Sequence, residues 1–293
     1  MKKILLLGAN GQLGSDIVKV FSDSESTSLL PLYRKNLDVE ETSSIKSKLD
    51  KYSDIDYIIN CTSYHKTDEC EDFVEKSFKV NSIAVLEMAK YCLEKDIVFV
   101  HISTDYVFGE DGGNKVPYKE DDRPNPLNVY GNSKLVGEFF VRNYCKKYFI
   151  LRVSSLFGVA GSSGKGGNFI ETMIKFAKEK RPLKVIANQL MSPTHTLDVA
   201  KAIKTVIDNN IIDYGTYHVC NSGYCSWYEF AKTIFEFSLI KADLSKTTYE
   251  EYKTKAKRPK YSVMDNAKIC KYYRMPGWKE ALKEYLELKG YIK

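Results

Sequence analysis

Tyr130 and Lys134 stand four residues apart in Tyr130-Gly131-Asn132-Ser133-Lys134, a spacing that puts both side chains on one face of a helix. A phenol and an ammonium so paired suit proton transfer. A free tyrosine has a pKa of about 10, and a neighbouring cation favours phenolate and brings it toward neutral pH. Tyr130 is therefore a candidate general acid or base. Tyr-x-x-x-Lys also arises by chance, so its weight comes from its company. Ser103-Thr104-Asp105-Tyr106 offers a hydroxyl and a carboxylate directly after the apolar run Val98 to Ile102. Gly8-Ala9-Asn10-Gly11-Gln12-Leu13-Gly14 follows the first apolar run. Glycines there let backbone approach a pyrophosphate, and the helix that begins there offers free N–H groups and a positive dipole end. Gly8, Asn10, Gly11, Gln12, Leu13 and Gly14 are thus candidate cofactor contacts.

These groups need a frame to hold them. Lys3 to Gly8 reads as a strand, and Leu13, Ile17, Val18 and Phe21 as one face of a helix. Leu29 to Tyr33 is a second strand; Arg34 and Lys35 follow, where an acid would bind the ribose of NAD and an arginine accommodates a 2′-phosphate. That favours NADPH, with NADH as the weaker cofactor, and Asp38 and Val39 could edge the adenine. A helix is expected over Thr42–Tyr52, a third strand over Tyr57–Cys61, and then Thr62-Ser63-Tyr64-His65 at a strand carboxyl end, where open α/β sheets bind ligands. One long helix is expected over Phe73–Leu93, strands over Val98–Ile102 and Phe149–Val153, and the Tyr130 helix between them. Alternation in this order predicts an α/β fold, a Rossmann-like doubly wound parallel sheet.

Beyond Ser154 the texture changes. A glycine- and serine-rich loop, Gly158 to Gly167, carries Lys165 and leads into a helix over Asn168–Lys180. A strand near Val185, a turn at Ser192-Pro193-Thr194, a helix over Leu197–Asp208 and a strand over Tyr217–Cys220 follow. Ser226-Trp227-Tyr228-Glu229 reads as a capping box, and helices are expected over Asp265–Tyr272 and Trp278–Tyr291. The expected division is a dinucleotide-binding core, 1–153, and a small, mostly helical C-terminal substrate lobe, 154–293, interleaved with the last strands of the core sheet.

The 293 residues carry a net charge of +6 spread over scattered lysines. No dense basic block marks a nucleic-acid binder. The apolar run at Ile4–Leu7 is cut by glycines and reads as a strand instead of an export signal, and no run reaches the roughly 20 residues that span a bilayer. A soluble, cytoplasmic protein with no membrane partner is expected; a homodimer is compatible with the sequence. Seven cysteines without a Cys-x-x-Cys pair are expected to be reduced. His101 lies inside a strand and His195 and His218 are isolated, so no metal site is expected; His65 lies near the proposed cleft.

Glycine turn, Thr104 and Tyr130/Lys134, in that order, resemble the extended short-chain dehydrogenase/reductase superfamily. Leu37-Asp38-Val39, Ser103 to Phe108, Pro126 to Gly131, Ser192-Pro193-Thr194, Ser226 to Ala231 and Arg258-Pro259 resemble the dTDP-4-dehydrorhamnose reductase family over nearly the whole chain. The resemblance implies NADPH-dependent reduction of the 4-keto group of a nucleotide-linked 6-deoxy sugar, dTDP-4-dehydro-L-rhamnose to dTDP-L-rhamnose, a step toward polysaccharide. It implies that Tyr130 donates the proton, that Lys134 lowers its pKa and binds the nicotinamide ribose, and that Thr104 bonds the substrate oxygen. Cys61, Thr62, Ser63 and Tyr64 would line the cofactor, Asp105 hold a sugar hydroxyl, Asn168 contact substrate and Arg258 reach the diphosphate. Two features depart from the family: Ser155 stands where many members have tryptophan near the sugar, and the Gly161–Gly167 loop is long. Tyr106, in place of the glutamate of nucleotide-sugar dehydratases, argues against dehydration. The rivals are a reductase of another nucleotide-linked keto sugar and a non-catalytic NADP-binding regulatory subunit.

Overall fold

The first strand is apolar on both faces, and that fixes its place. Ile4, Leu5, Leu6 and Leu7 are buried, the pattern of a strand covered by helices on both sides of a parallel sheet. In the computed structural model, which describes residues 1–109, 116–161 and 167–292, this strand, β1 (Lys2–Leu7), lies inside a six-stranded sheet with β2 (Thr27–Leu32), β3 (Tyr57–Asn60), β4 (Val98–Thr104), β5 (Tyr148–Val153) and a sixth strand, Gly215–His218. The order is sixth, β5, β4, β3, β1, β2, with every neighbour parallel.

Alternate residues of the strands face two helical layers. Ile4 and Leu6 share one core with Ile17, Val199 and Ile203, from helices Gln12–Phe21 and Thr196–Asp208. Leu5 and Leu7 share the other with Val85, Met88 and Val141. The second half of the chain thus returns to the first: Thr196–Asp208 and Gly215–His218 complete the sheet and its cover. A separate core gathers around Phe157, Phe230, Ile234, Trp278 and Leu282. Its helices, Phe169–Lys178, Trp227–Ser238 and Trp278–Leu288, are joined by short strand pairs: Leu183–Ile186 with Leu244–Thr247, Leu190–Met191 with Cys225–Ser226, and Leu156–Phe157 with Thr194–His195. Most of these strands are two residues long, too short for a period-2 pattern to register. Ser226 and Glu229 form the expected capping box reciprocally.

The expected single helix over Phe73–Leu93 is interrupted. Val74–Phe78 passes into a π-helical turn, Lys79–Ile83, before Ala84–Glu94 resumes. Such turns mark functional sites more often than chance, and here the widened turn carries buried Asn81 and Ser82. Asn81 Oδ1 accepts from the Tyr64 N–H at 2.9 Å and from Ser63 Oγ at 3.1 Å, while its Nδ2 donates to Ser133 Oγ at 3.0 Å. One amide thereby ties the strand-end loop after β3 to the helix bearing Tyr130. The Thr42–Tyr52 helix is also shorter than its apolar spacing implies, a 3₁₀ turn at Thr42–Ser44 followed by Ile45–Leu49. The residues 162–166 of the glycine-rich loop, including Lys165, lie outside the described residues.

Candidate active site

The carboxyl ends of β1 to β5 open into a cleft of about 890 Å³, and every residue assigned above to cofactor, catalysis or substrate lines it. Val129–Tyr144 forms one wall. Asn128 caps it, accepting the Gly131 N–H at 2.8 Å and donating to Lys257 O at 2.7 Å, so the helix start is tied to the far end of the chain.

Tyr130 shares the cleft wall with Thr104 and Ser63, and burial pushes its pKa up to about 12 against the lowering effect of those two hydroxyls. Lys134 is 1% exposed. Its Nζ donates to the Ile102 carbonyl at 2.7 Å and lies 3.3 Å from His101 Nε2, with burial pulling its pKa down to about 8 against the raising effect of Glu138 and Cys61. The expectation that Lys134 depresses the Tyr130 pKa is therefore not met here. The lysine nitrogen is turned toward β4, and the phenol holds its proton more firmly than a free tyrosine does. Cys61 is likewise held as a thiol, burial pushing it up to about 12.

Beneath this pair lies a polar layer that the sequence reading missed. Glu138, one turn beyond Lys134, takes Arg152 through both oxygens at 2.9 and 2.8 Å, Arg142 at 2.7 Å and Ser103 Oγ at 2.6 Å. Glu138 and Arg152 are buried to within 1%, and the cations hold the Glu138 carboxyl below its ordinary value despite burial. The visible signal was Lys134, Glu138 and Arg142 at four-residue intervals on one helix face. Nothing in β5 marked Arg152 as their partner.

At the glycine turn, Gly8 adopts φ +78°, and a Cβ on Gly14 would meet Gly8 O at 2.2 Å. The turn can close only with glycines, and it leaves the amino terminus of Gln12–Phe21 facing the cleft, a fit to pyrophosphate. Further out, Arg34 pairs with Asp38 at 2.9 Å and Glu40 at 2.6 Å, and Lys76 reaches Glu40 at 3.0 Å. Arg34 is two-thirds exposed, free to turn from these acids to an incoming phosphate.

On the substrate side, Asp105 is buried and accepts from Ser262 Oγ at 2.6 Å, Ser154 Oγ at 2.9 Å and Thr104 Oγ1 at 3.2 Å. Burial still raises its pKa to about 6. Its oxygens serve the protein first, so its reach to a sugar depends on exchanging one of these hydroxyls. Arg258 pairs with Asp68 at 2.7 Å. Asn168 caps Phe169–Lys178 and donates to Gly158 O at 3.2 Å and Tyr285 Oη at 3.1 Å. Phe169 and Trp227, ring centroids 4.7 Å apart, also line the cleft, a place that neither the capping box nor the family motif assigns to Trp227. Ser155 lines the cleft too, at φ +43°.

The histidines are not isolated. His218 sits 3.3 Å from Arg152 and 3.1 Å from Asp265 O. His195 shares a junction with Asp198 and Glu284, its Nδ1 3.6 Å from Glu284; Lys201 already takes that glutamate at 3.1 Å and Asn221 the aspartate at 2.7 Å. Residues 195, 198 and 284 meet only through tertiary packing, which spacing does not reveal. His65 lies along the cleft. All seven cysteines are free, and among the described residues no helix is long and apolar enough to cross a membrane.

Residues 1–290 match the family model described as the RmlD substrate binding domain. The chain is 37% identical over 288 residues to the spore coat polysaccharide biosynthesis protein SpsK of Bacillus subtilis, covering 98% of each. It is 34% identical to the dTDP-4-dehydrorhamnose reductase of Aggregatibacter actinomycetemcomitans, covering 97% of this chain and 98% of that one. A crystal structure of the Bacillus anthracis dTDP-4-dehydrorhamnose reductase in complex with NADP superposes with a TM-score of 0.89 at 35% identity, over 98% of this chain and all of the other.

Proposed function

The chain belongs to the dTDP-4-dehydrorhamnose reductase family, and from that premise we propose that it reduces the 4-keto group of dTDP-4-dehydro-L-rhamnose to give dTDP-L-rhamnose. It is an oxidoreductase of nucleotide-linked keto sugars that uses NADPH. What supports the finer reading most is that Thr104, Tyr130, Lys134 and the glycine turn line one cleft.

When bound, the reduced nicotinamide supplies hydride to the ketone carbon. The residues of the chain manage the oxygen. Reduction builds negative charge there, so a donor aimed at that atom favours the transition state over the ground state. Tyr130 keeps its proton through neutral pH, its pKa raised to about 12 by burial, and can release it to an alkoxide, a much stronger base. Thr104 and Ser63, which line the cleft with it, offer hydroxyls that orient it. Lys134 offers an N–H to the ribose side of the cleft, and Arg34 its guanidinium to a 2′-phosphate. Arg258, partly buried beside Asp68, is the cation available to a substrate diphosphate.

Ser155 in place of the family's tryptophan, together with 37% identity to a spore coat polysaccharide protein, keeps a second sugar in view: another nucleotide-linked keto sugar processed by the same chemistry. Purified protein incubated with NADPH and a panel of nucleotide-linked 4-keto-6-deoxy sugars, followed by nicotinamide absorbance, tests both. Fastest oxidation with the dTDP-linked rhamnose precursor is expected. A faster rate on another member would reassign the sugar, and no oxidation on any would leave only the non-catalytic, regulatory role.

A further inference from the structure

The hydrogen bonds around Lys134 specify its protonation. Asn60 Oδ1 accepts from the Thr62 backbone N–H at 3.0 Å and from Thr62 Oγ1 at 2.6 Å. A backbone N–H can only donate, so the oxygen of that amide is fixed and its Nδ2 is the atom facing His101, 3.3 Å from Nδ1. Asn60 therefore donates, and His101 Nδ1 accepts. A neutral imidazole that accepts at Nδ1 carries its hydrogen on Nε2, and Nε2 is the atom 3.3 Å from Lys134 Nζ. An N–H thus points at the lysine nitrogen. An ammonium has only donors and would oppose it; an amine has one lone pair to receive it. The amine's two hydrogens then serve the Ile102 carbonyl, at 2.7 Å, and the cleft.

We propose that in the cofactor-free protein at mildly alkaline pH Lys134 rests as a neutral amine that accepts from His101, and that binding of the nicotinamide dinucleotide there drives uptake of one proton at Nζ, with His101 as the positioning residue. This rests on the reading that the cleft takes such a cofactor. The step balances simply: a proton from solvent joins the Nζ lone pair, the contact with the His101 N–H becomes repulsive, and the new ammonium turns toward ribose oxygens and phosphate charge.

The groups facing Nζ are few. Cys61 at the end of β3 is held as a thiol up to about 12. Tyr130 on the same helix is held as a phenol to about 12. His101 on β4 is driven well below its ordinary value by burial and stays neutral. Glu138 is ionised but engaged by Arg142 and Arg152. On the π-helical turn the buried polar side chains, Asn81 and Ser82, are neutral, and its cation, Lys79, is exposed. Lys134, lowered to about 8, is alone among them in titrating between about pH 7 and 9. The room for this arrangement comes from Gly137, whose absent Cβ would lie 2.4 Å from Asn81 O and 3.7 Å from His101 Nε2.

The test is calorimetric titration of the whole protein with NADPH in two buffers of different ionisation heat, which counts protons taken up per cofactor bound. Uptake should be small near pH 7, where the amine is already mostly protonated, and approach one proton per site near pH 9. The cofactor's 2′-phosphate, with a pKa of about 6 for a phosphate monoester, is silent there. Lys134→Met should abolish the uptake. His101→Gln, whose side-chain carbonyl can accept from an ammonium, should shrink it several-fold near pH 9 while binding persists, an effect that a purely structural role for His101 would not produce. Binding by the unmodified protein without uptake at any of these pH values would overturn the proposal and leave the cofactor reading intact; absence of binding would overturn both. Unchanged uptake in His101→Gln would remove His101 from it.

Discussion

The two ends of the cleft hold their charges in opposite ways. At the catalytic end, Lys134, Glu138, Arg152 and Asp105 are nearly inaccessible to solvent, and each is locked by named partners. At the adenosine end, Arg34, Asp38, Glu40 and Lys76 form ion pairs that solvent reaches. Buried charges cannot rearrange without exposing an unpaired partner to low dielectric, which is costly. Exposed pairs exchange partners at little cost, their net worth being about 0–1 kcal/mol. Fixed geometry therefore stands around the proposed proton donor, and interchangeable charge at the proposed 2′-phosphate site.

The largest effect should come from breaking the buried layer. Glu138→Ala leaves Arg152 unpaired and should destabilise the protein by about 3–5 kcal/mol, read by chemical denaturation. A loss below about 1 kcal/mol would mean that the catalytic end is no more rigid than the surface.

Next comes Asp105. Its folded pKa, about 6, lies above the ordinary 3.8, so the folded state binds the proton more tightly than the unfolded chain. Its contribution is present below about pH 4 and is lost as pH rises through 6, to a total of about 3 kcal/mol. Asp105→Asn cannot ionise, so its stability should fall less than the unmodified protein's across that window. Parallel pH profiles would show that its surroundings do not resist ionisation.

A smaller change is expected at the other end. Arg34→Ala should weaken NADPH binding by roughly 1.5–3 kcal/mol, the worth of a hydrogen bond to a charged group, and leave NADH binding unchanged. Equal losses with both cofactors would detach Arg34 from the 2′-phosphate. The smallest effect is the same variant's folding stability, which should shift by less than about 1 kcal/mol; a shift like that of Glu138→Ala would erase the contrast between the two ends.

The same contrast explains what could be read in the sequence. Strands β1 to β5, the glycine turn and the Tyr130/Lys134 face are local patterns, apolar runs and fixed spacings, and they stand where expected to within a residue or two. The polar layer joins Asn60, His101, Glu138 and Arg152 from three strands and one helix, and no periodicity connects them. The π-helical turn at Lys79–Ile83 was hidden because its apolar spacing is close to that of an unbroken helix. The direction of Lys134 was misjudged for a related reason: spacing put it on the face of Tyr130, while the carbonyl of Ile102 and the ring of His101, on β4, decide where its nitrogen goes.

The role of Tyr130 is tested most directly by one variant. Tyr130→Phe keeps the ring and its edge contact with Tyr106, centroids 6.0 Å apart, and deletes only the proton. Single-turnover oxidation of bound NADPH by the keto-sugar nucleotide should slow by about 10²–10⁴-fold, the usual worth of general acid catalysis, with cofactor affinity unchanged. Oxidation at the unmodified rate across the accessible pH range would contradict the assignment of Tyr130 as the proton donor.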